Sequence, residues 1–234
     1  MSTIAEGEDA WDVPALGERQ SLRQSVADSL RALVIAGRMR PGEIYSAPRL
    51  AAQFGVSATP VREAMLDLVM EGHIETVRNK GFRVLELSPR ELDELAELRR
   101  LIEPPVMARI ARRVPGSAEL TGQVEALRAV AQEIVASASR GDLVQYIDRD
   151  LRFHLDFLAL HGNDRLVQEV RALRRRSRLF GLESMSEKGT LVSLAREHEE
   201  MVDLALTGDA AGLEELTHQH IEHVRHEWAG VEQD

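Results

Sequence analysis

The sequence contains no cysteine. That excludes disulfides and thiolate metal sites, and it fits a reducing compartment. No apolar run approaches the roughly 20 residues needed to span a bilayer. The opening stretch, MSTIAEGEDAWDVPALGER, is acidic and lacks the basic-then-apolar order of a signal peptide. A soluble, cytoplasmic protein without a membrane partner is therefore expected. No internal repeat or low-complexity tract is present. A nucleophile-elbow motif, a P-loop and a Gly-rich dinucleotide fingerprint are all missing, which removes the commonest enzyme signatures.

What is present is a chain of 234 residues, 44% apolar and 29% charged, long enough for one large domain or two modest ones. The net charge of −10 is unevenly spread. Residues 1–19 carry one Arg against five acids, and residues 20–86 carry nine Lys/Arg against seven. Beyond residue 86 there are nineteen cations against twenty-seven acids. Only the middle segment is positive. A modest local charge suffices for a nucleic-acid contact when the cations are well placed.

The spacing of apolar residues predicts a helix from Gln20 to Met39, with Leu22, Val26, Leu30, Leu33 and Val34 on one stripe, broken by Pro41-Gly42. A short second helix carries Leu50, Ala51 and Phe54 inward and closes at Gly55. A third starts near Ser57–Thr59, tolerates Pro60 in its first turn and runs to Glu71, with Gly72 at C′. A hairpin follows, His73–Val77 and Phe82–Leu87, around Arg78-Asn79-Lys80-Gly81.

This is the order of a winged helix-turn-helix. A helix N-terminus presents free N–H groups to phosphate, and Ser57 and Thr59 add hydroxyls there. Arg62 can reach a guanine edge bidentately, while Arg49 and Lys80 are natural phosphate contacts. The expected DNA-binding set is Arg49, Ser57, Thr59, Pro60, Arg62, Lys80 and Gly81, and the expected partner is double-stranded operator DNA. Singly, Arg62 and Arg49 would read as solvated helix arginines and Gly81 as a plain turn.

The run PGEIYSAPRLAAQFGVSATPVREAMLDLVMEGHIETVRNKGFRV resembles the DNA-binding domain of the GntR family of bacterial regulators. The resemblance rests on Pro41-Gly42, Arg49-Leu50-Ala51, Gly55-Val56-Ser57, Thr59-Pro60-Val61-Arg62-Glu63-Ala64, Gly72 and Gly81. Ala58 stands where many members carry an Arg that reads the operator, and Ser46 and Pro48 replace a more usual Ser-Glu lead. Base preference is thereby shifted onto Arg62.

After Ser88-Pro89 almost everything to Trp228 has helical spacing, broken at Pro115-Gly116, Gly141-Asp142, Gly162-Asn163, Gly181, Gly189 and Gly208-Asp209. About six helices in an antiparallel bundle are expected. Pro104-Pro105 should kink or restart the first of them. The fold class is thus mainly α: a flexible acidic tail (1–19), a winged helix-turn-helix (20–87) and an all-helical domain (88–230). The second domain resembles the FadR-type effector domain called FCD, on Glu97-Leu98-Arg99 with Glu103, Asp150 to His154, Gly162-Asn163, Glu197-His198 and His220-Ile221.

Asp150 and His154 are four apart and share a helix face, while His198 and His220 flank the Gly208-Asp209 break on successive helices. One carboxylate and three imidazoles suit a divalent Zn, Ni, Mn or Fe ion. His218 should point elsewhere, and His223 could compete with His220. The resemblance implies a metal on this Asp-and-three-His set, with a small organic-acid effector beside it. It also implies a homodimer whose repression the effector relieves. Arg99 is the expected carboxylate partner, against an i,i+4 salt bridge with Glu103. Arg152 faces differently and is weaker. Asn163 is the second effector candidate, against a helix cap.

The arginines at 171, 174, 175, 176 and 178 read as a solvated helix face. The alternative function is a helical-bundle metalloenzyme, since Asp150-x-x-x-His154 and Glu215-x-x-His218 resemble parts of a di-metal site. Such a site needs two Glu-x-x-His motifs and two further Glu, and only one is well placed. The chain is accordingly read as a regulator and not an enzyme.

Overall fold

The computed structural model describes residues 22–35, 37–177, 185–186 and 188–229. The acidic tail, Arg178 and Gly181 lie outside these. The N-terminal part runs α1 (Leu22–Ile35), β1 (Ile44–Tyr45), α2 (Ala47–Phe54), α3 (Ala58–Met70), β2 (Ile74–Val77) and β3 (Gly81–Val84). Its core joins Val26, Leu30 and Val34 of α1 to Val61, Met65 and Leu68 of α3 and to Ile74 and Phe82 of the sheet. Each fully buried side chain of this size contributes about 1.5–3 kcal/mol.

Two local outcomes differ from the spacing. The first helix stops at Ile35, short of Met39, because Gly37 takes φ +62° and returns its N–H to Val34 O. Leu22, expected on the inward stripe, is exposed. Residues Ile44–Tyr45 form a third strand, antiparallel to β3, giving the sheet order β1-β3-β2. Gly81 is required there. Its φ is +132°, and a Cβ would sit 2.3 Å from Tyr45 O. In this structure Gly81 therefore serves the close approach of strand to strand.

The remainder is helical: α4 (Pro89–Ala111), a 3-10 turn (Val114–Gly116), α5 (Ala118–Arg140), α6 (Leu143–Ala159), α7 (Asp164–Ser177), α8 (Thr190–Thr207) and α9 (Ala210–Ala229). Six α-helices are thus present after residue 88 among the described residues. A capping box fixes the start of α4, with Glu91 N–H donating to Ser88 Oγ and Ser88 N–H donating to Glu91 Oε2. The helix runs on through Pro104-Pro105 without restarting. Packing of α4 against its neighbours holds the helix together where the prolines remove two backbone donors.

The bundle core is continuous, with Met107 and Ile110 of α4, Ile134 of α5, Phe153 and Phe157 of α6, and Met201 of α8 all fully buried. Head and bundle meet where α1 packs on α6. Among the described residues no helix is long and apolar enough to cross a membrane.

Candidate metal centre and nucleic-acid interface

Helix α6 presents Asp150 and His154 inward, α8 presents His198 and α9 presents His220. All four side chains are buried, and one ligating atom from each lies within 4.8 Å of the others. His154 Nε2 is 3.1 Å from His198 Nε2, and Asp150 Oδ1 is 3.2 Å from His198 Nε2. Phe153 stacks edge-on against both His154 and His198 and holds the rings in place.

The outer contacts set the tautomers. His198 Nδ1 donates to Ala195 O at 3.0 Å, which leaves the lone pair on Nε2. His220 Nδ1 donates to Glu197 Oε2 at 2.6 Å, with the same result. Burial, helped by Arg174 and the neighbouring imidazoles, holds His154 well below the ordinary histidine range. Three imidazoles and a carboxylate oxygen therefore converge in the core. The donor chemistry fits a divalent cation, and the carboxylate behind His220 is the usual outer support of such a ligand. His223 bonds Glu197 Oε1 at 3.0 Å from an exposed position, so it is His220 that joins the cluster.

Beside the cluster lies a buried ion network of which the sequence suggested only the Arg99–Glu103 pair. Arg174 of α7 is fully buried, with Nη1 donating to Asp150 Oδ2 at 3.2 Å and Nε donating to Glu103 Oε2 at 3.0 Å. Its Nη2 also donates to Glu103 Oε2. Glu103 Oε1 in turn accepts from Arg99 Nε at 2.8 Å. Burial alone would raise the Glu103 carboxyl, but Arg174 and Arg99 more than offset it and hold it at about 2. Burial, with the nearby Arg99, brings Arg174 down to about 9, still protonated at neutral pH.

Several expectations are corrected by this arrangement. Arg174 does not share the solvated face expected for the arginine cluster, because it carries charge to two buried carboxylates. The Arg99 Nε is committed to the salt bridge with Glu103, although the side chain does lie beside the centre. Asn163 is exposed, and its Oδ1 accepts from Leu166 N–H at 3.1 Å, so it caps α7, the alternative weighed for it. Arg152 is exposed and pairs with Asp156. The di-metal alternative fails on geometry as well: Glu215 is exposed and bonded to Gln219, and His218 lies by Glu222.

On the head, Arg62 is exposed on α3 and Arg49 is exposed on α2. Ser57 is the N-cap of α3, but its hydroxyl makes no capping bond; Thr59 is exposed and Pro60 half-buried in the first turn. Lys80 stands at the wing tip. Arg62, Leu66, Pro48, Thr76 and Lys80 line one groove between α2, α3 and the wing. Leu66, 46% exposed within this groove, was not singled out from sequence because it completes an ordinary helical stripe.

A winged helix-turn-helix joined to a helical bundle that holds a buried Asp/His cluster defines a DNA-binding transcriptional regulator. The chain belongs to the GntR family of bacterial regulatory proteins, with an FCD domain as its second part. It matches the family described as "Bacterial regulatory proteins, gntR family" over residues 22–84 and the FCD domain over residues 94–223. It is 31% identical over 148 residues to the Nta operon transcriptional regulator of Aminobacter aminovorans, covering 62% of this chain and 67% of that protein. It is 27% identical over 199 residues to the HTH-type transcriptional repressor GlaR of Escherichia coli, covering 80% and 87%. The solved structure of E. coli McbR/YncC shares the fold, with a TM-score of 0.63, 23% identity and coverage of 87% and 94%. These relatives are transcriptional regulators and not enzymes.

Proposed function

We propose that the protein is a homodimeric, metal-containing repressor whose hold on operator DNA is released by a small carboxylate. Residues 20–87 act as the reader and residues 88–230 as the sensor and dimer platform. The observation that carries this reading is the convergence of Asp150, His154, His198 and His220 in the bundle core. These four would hold a divalent ion of the Zn, Ni, Mn or Fe kind, and the ion when bound would offer a carboxylate effector a coordination position. Arg174 and Arg99 balance the buried charges of Glu103 and Asp150 beside the cluster, so a bound cation would add the net positive charge that favours an anion there.

On DNA, Arg62 supplies base reading in the major groove, with Ser57, Thr59 and Arg49 on the phosphates and Lys80 at the adjacent groove. Pro60 keeps the first turn of α3 rigid. The exposed side chain of Leu66 is suited to a thymine methyl group. Two heads on one pseudo-palindromic site require a dimer. Leu98 and Leu101, one turn apart on α4 and both exposed, support a dimer face there. The relative named as a repressor supports the direction of control.

The reading is tested by selecting a duplex from a random library with the purified chain and then titrating it by fluorescence anisotropy. A panel of hydroxy- and keto-acids should include one that weakens binding at least about fivefold, the low end of ordinary coupling. A chain that selects no duplex, or whose affinity no acid alters, contradicts it.

A further inference from the structure

Helix α7 presents two stripes. Val170, Arg174 and Ser177 are buried against the bundle, at the i, i+4, i+7 spacing of one helix face. The second stripe, Gln168, Arg171, Ala172, Arg175 and Arg176, follows the same spacing on another face. It lines a cleft with Met70, Glu71 and Gly72, the last turn of the reading helix α3 and its exit into the wing. The approach is close: the Arg176 Cγ lies 3.9 Å from where a Cβ on Gly72 would stand. The basic stripe thus faces the C-terminal end of α3, where the last backbone carbonyls carry partial negative charge and where the Glu71 carboxylate is held by Arg31 at 2.8 Å.

The inner stripe reaches the metal cluster. Arg174 Nη1 holds Asp150 Oδ2, while Asp150 Oδ1 faces His198. One oxygen of the carboxylate is thus directed to the imidazoles and the other to α7. A change at the cluster that moves Asp150 must either move Arg174 or break a buried ionic hydrogen bond.

We propose that α7 couples the metal centre to the exit of the reading helix, with Arg174 as the positioning residue that ties Asp150 to this helix. The arginine cluster is divided by face: Arg174 grips the centre, and Arg171, Arg175 and Arg176 line the cleft against the head. This rests on the reading that the cluster binds a cation. Both stripes belong to one rigid helix, so occupancy of the cluster biases the position of the α3 exit.

The natural reporters are the amides of Glu71, Gly72 and His73, which bond back to Asp67, Val69 and Leu68. Hydrogen exchange of the full chain is followed by mass spectrometry after chelation and after reloading with Zn²⁺, with bound zinc measured in the same samples. Zinc should slow exchange in α6, α8 and α9, and also at least about threefold in peptides covering residues 70–77. The variant R171A/R175A/R176A should keep its zinc and its protection in the bundle but lose the effect on 70–77. The variant R174M, although its bundle is less protected overall, should likewise lose the effect of zinc on 70–77. Because R174M leaves Glu103 short of a partner and can unfold, the triple variant alone is sufficient. Zinc bound with protection confined to the bundle, or an unchanged response in the triple variant, overturns the coupling and leaves the metal reading intact. Absence of bound zinc, and of Ni²⁺, Mn²⁺ and Fe²⁺ when each is offered in its place, overturns both.

Discussion

Arg174 and Asp150, 24 residues apart on adjacent helices, meet in the bundle core, where Arg174 Nη1 donates to Asp150 Oδ2 at 3.2 Å. The same guanidinium serves Glu103 on α4. Three helices are therefore tied by one buried cation at the edge of the ligand cluster.

Removing that cation should be costly. Arg174→Met leaves Glu103 with only Arg99 and should destabilise the bundle by about 3–5 kcal/mol, the usual result of breaking a buried ion pair. The double variant R174M/E103Q should recover a large part of the loss. Urea denaturation of the four members of the cycle measures the coupling.

Acid sensitivity follows from the same carboxyl. Glu103 is held at about 2 in the folded chain, below its ordinary value of 4.5. Its contribution is complete above the unfolded value and is lost as pH falls from about 4.5 towards 2. Integrated over that window, the shift is worth about 3 kcal/mol. Glu103→Gln should therefore flatten stability against pH between about 5 and 2, which thermal melts across that range will show.

In the head, Arg62→Ala should weaken binding to the selected duplex by about 1–3 kcal/mol and relax its base preference. Lys80→Ala should weaken binding evenly across sequences and reduce the salt slope by about 1. Anisotropy titrations at several salt concentrations separate the two. If both variants behave alike, the assignment of Arg62 to base reading fails.

Gly81→Ala should damage the wing itself. The added Cβ would meet Tyr45 O at 2.3 Å, and the backbone sits at φ +132°. Strain of about 1–3 kcal/mol is expected, visible as a lower melting temperature together with weaker DNA binding. Unchanged stability would mean that β1 does not pair with the wing.

Dimerisation through α4 predicts that L98E/L101E gives a folded monomer in analytical ultracentrifugation. A dimer that survives both substitutions places the interface elsewhere.

The head was legible because its signals are local and ordered: a capped short helix, Pro60 in a first turn and a Gly-tipped hairpin. Strand β1 was not, since two residues cannot display a period of two and its partner lies almost forty residues on. In the bundle, Asp150 and His154 were legible by their spacing, and His198 and His220 by the break between their helices. Arg174 was hidden among neighbouring arginines of the same type. Only its phase with Val170 and Ser177 marks it as inward, and that phase becomes meaningful once Glu103, 71 residues away, is placed opposite. Arg99 and Asn163 show the converse. Each had a local partner within four residues, and the local partner holds at least one polar atom of each.

The central claim is that Asp150, His154, His198 and His220 form a metal centre, and metal analysis tests it most directly. Plasma mass spectrometry of the purified chain should find about one divalent ion per protomer, and H198A and D150A should each retain little or none. Chelation of the wild-type chain should lower its melting temperature, since an ion at a hundred times its dissociation constant adds about 2.7 kcal/mol. A chain free of metal after purification and after incubation with Zn²⁺, Ni²⁺, Mn²⁺ and Fe²⁺, with a melting temperature indifferent to chelator, would contradict the account.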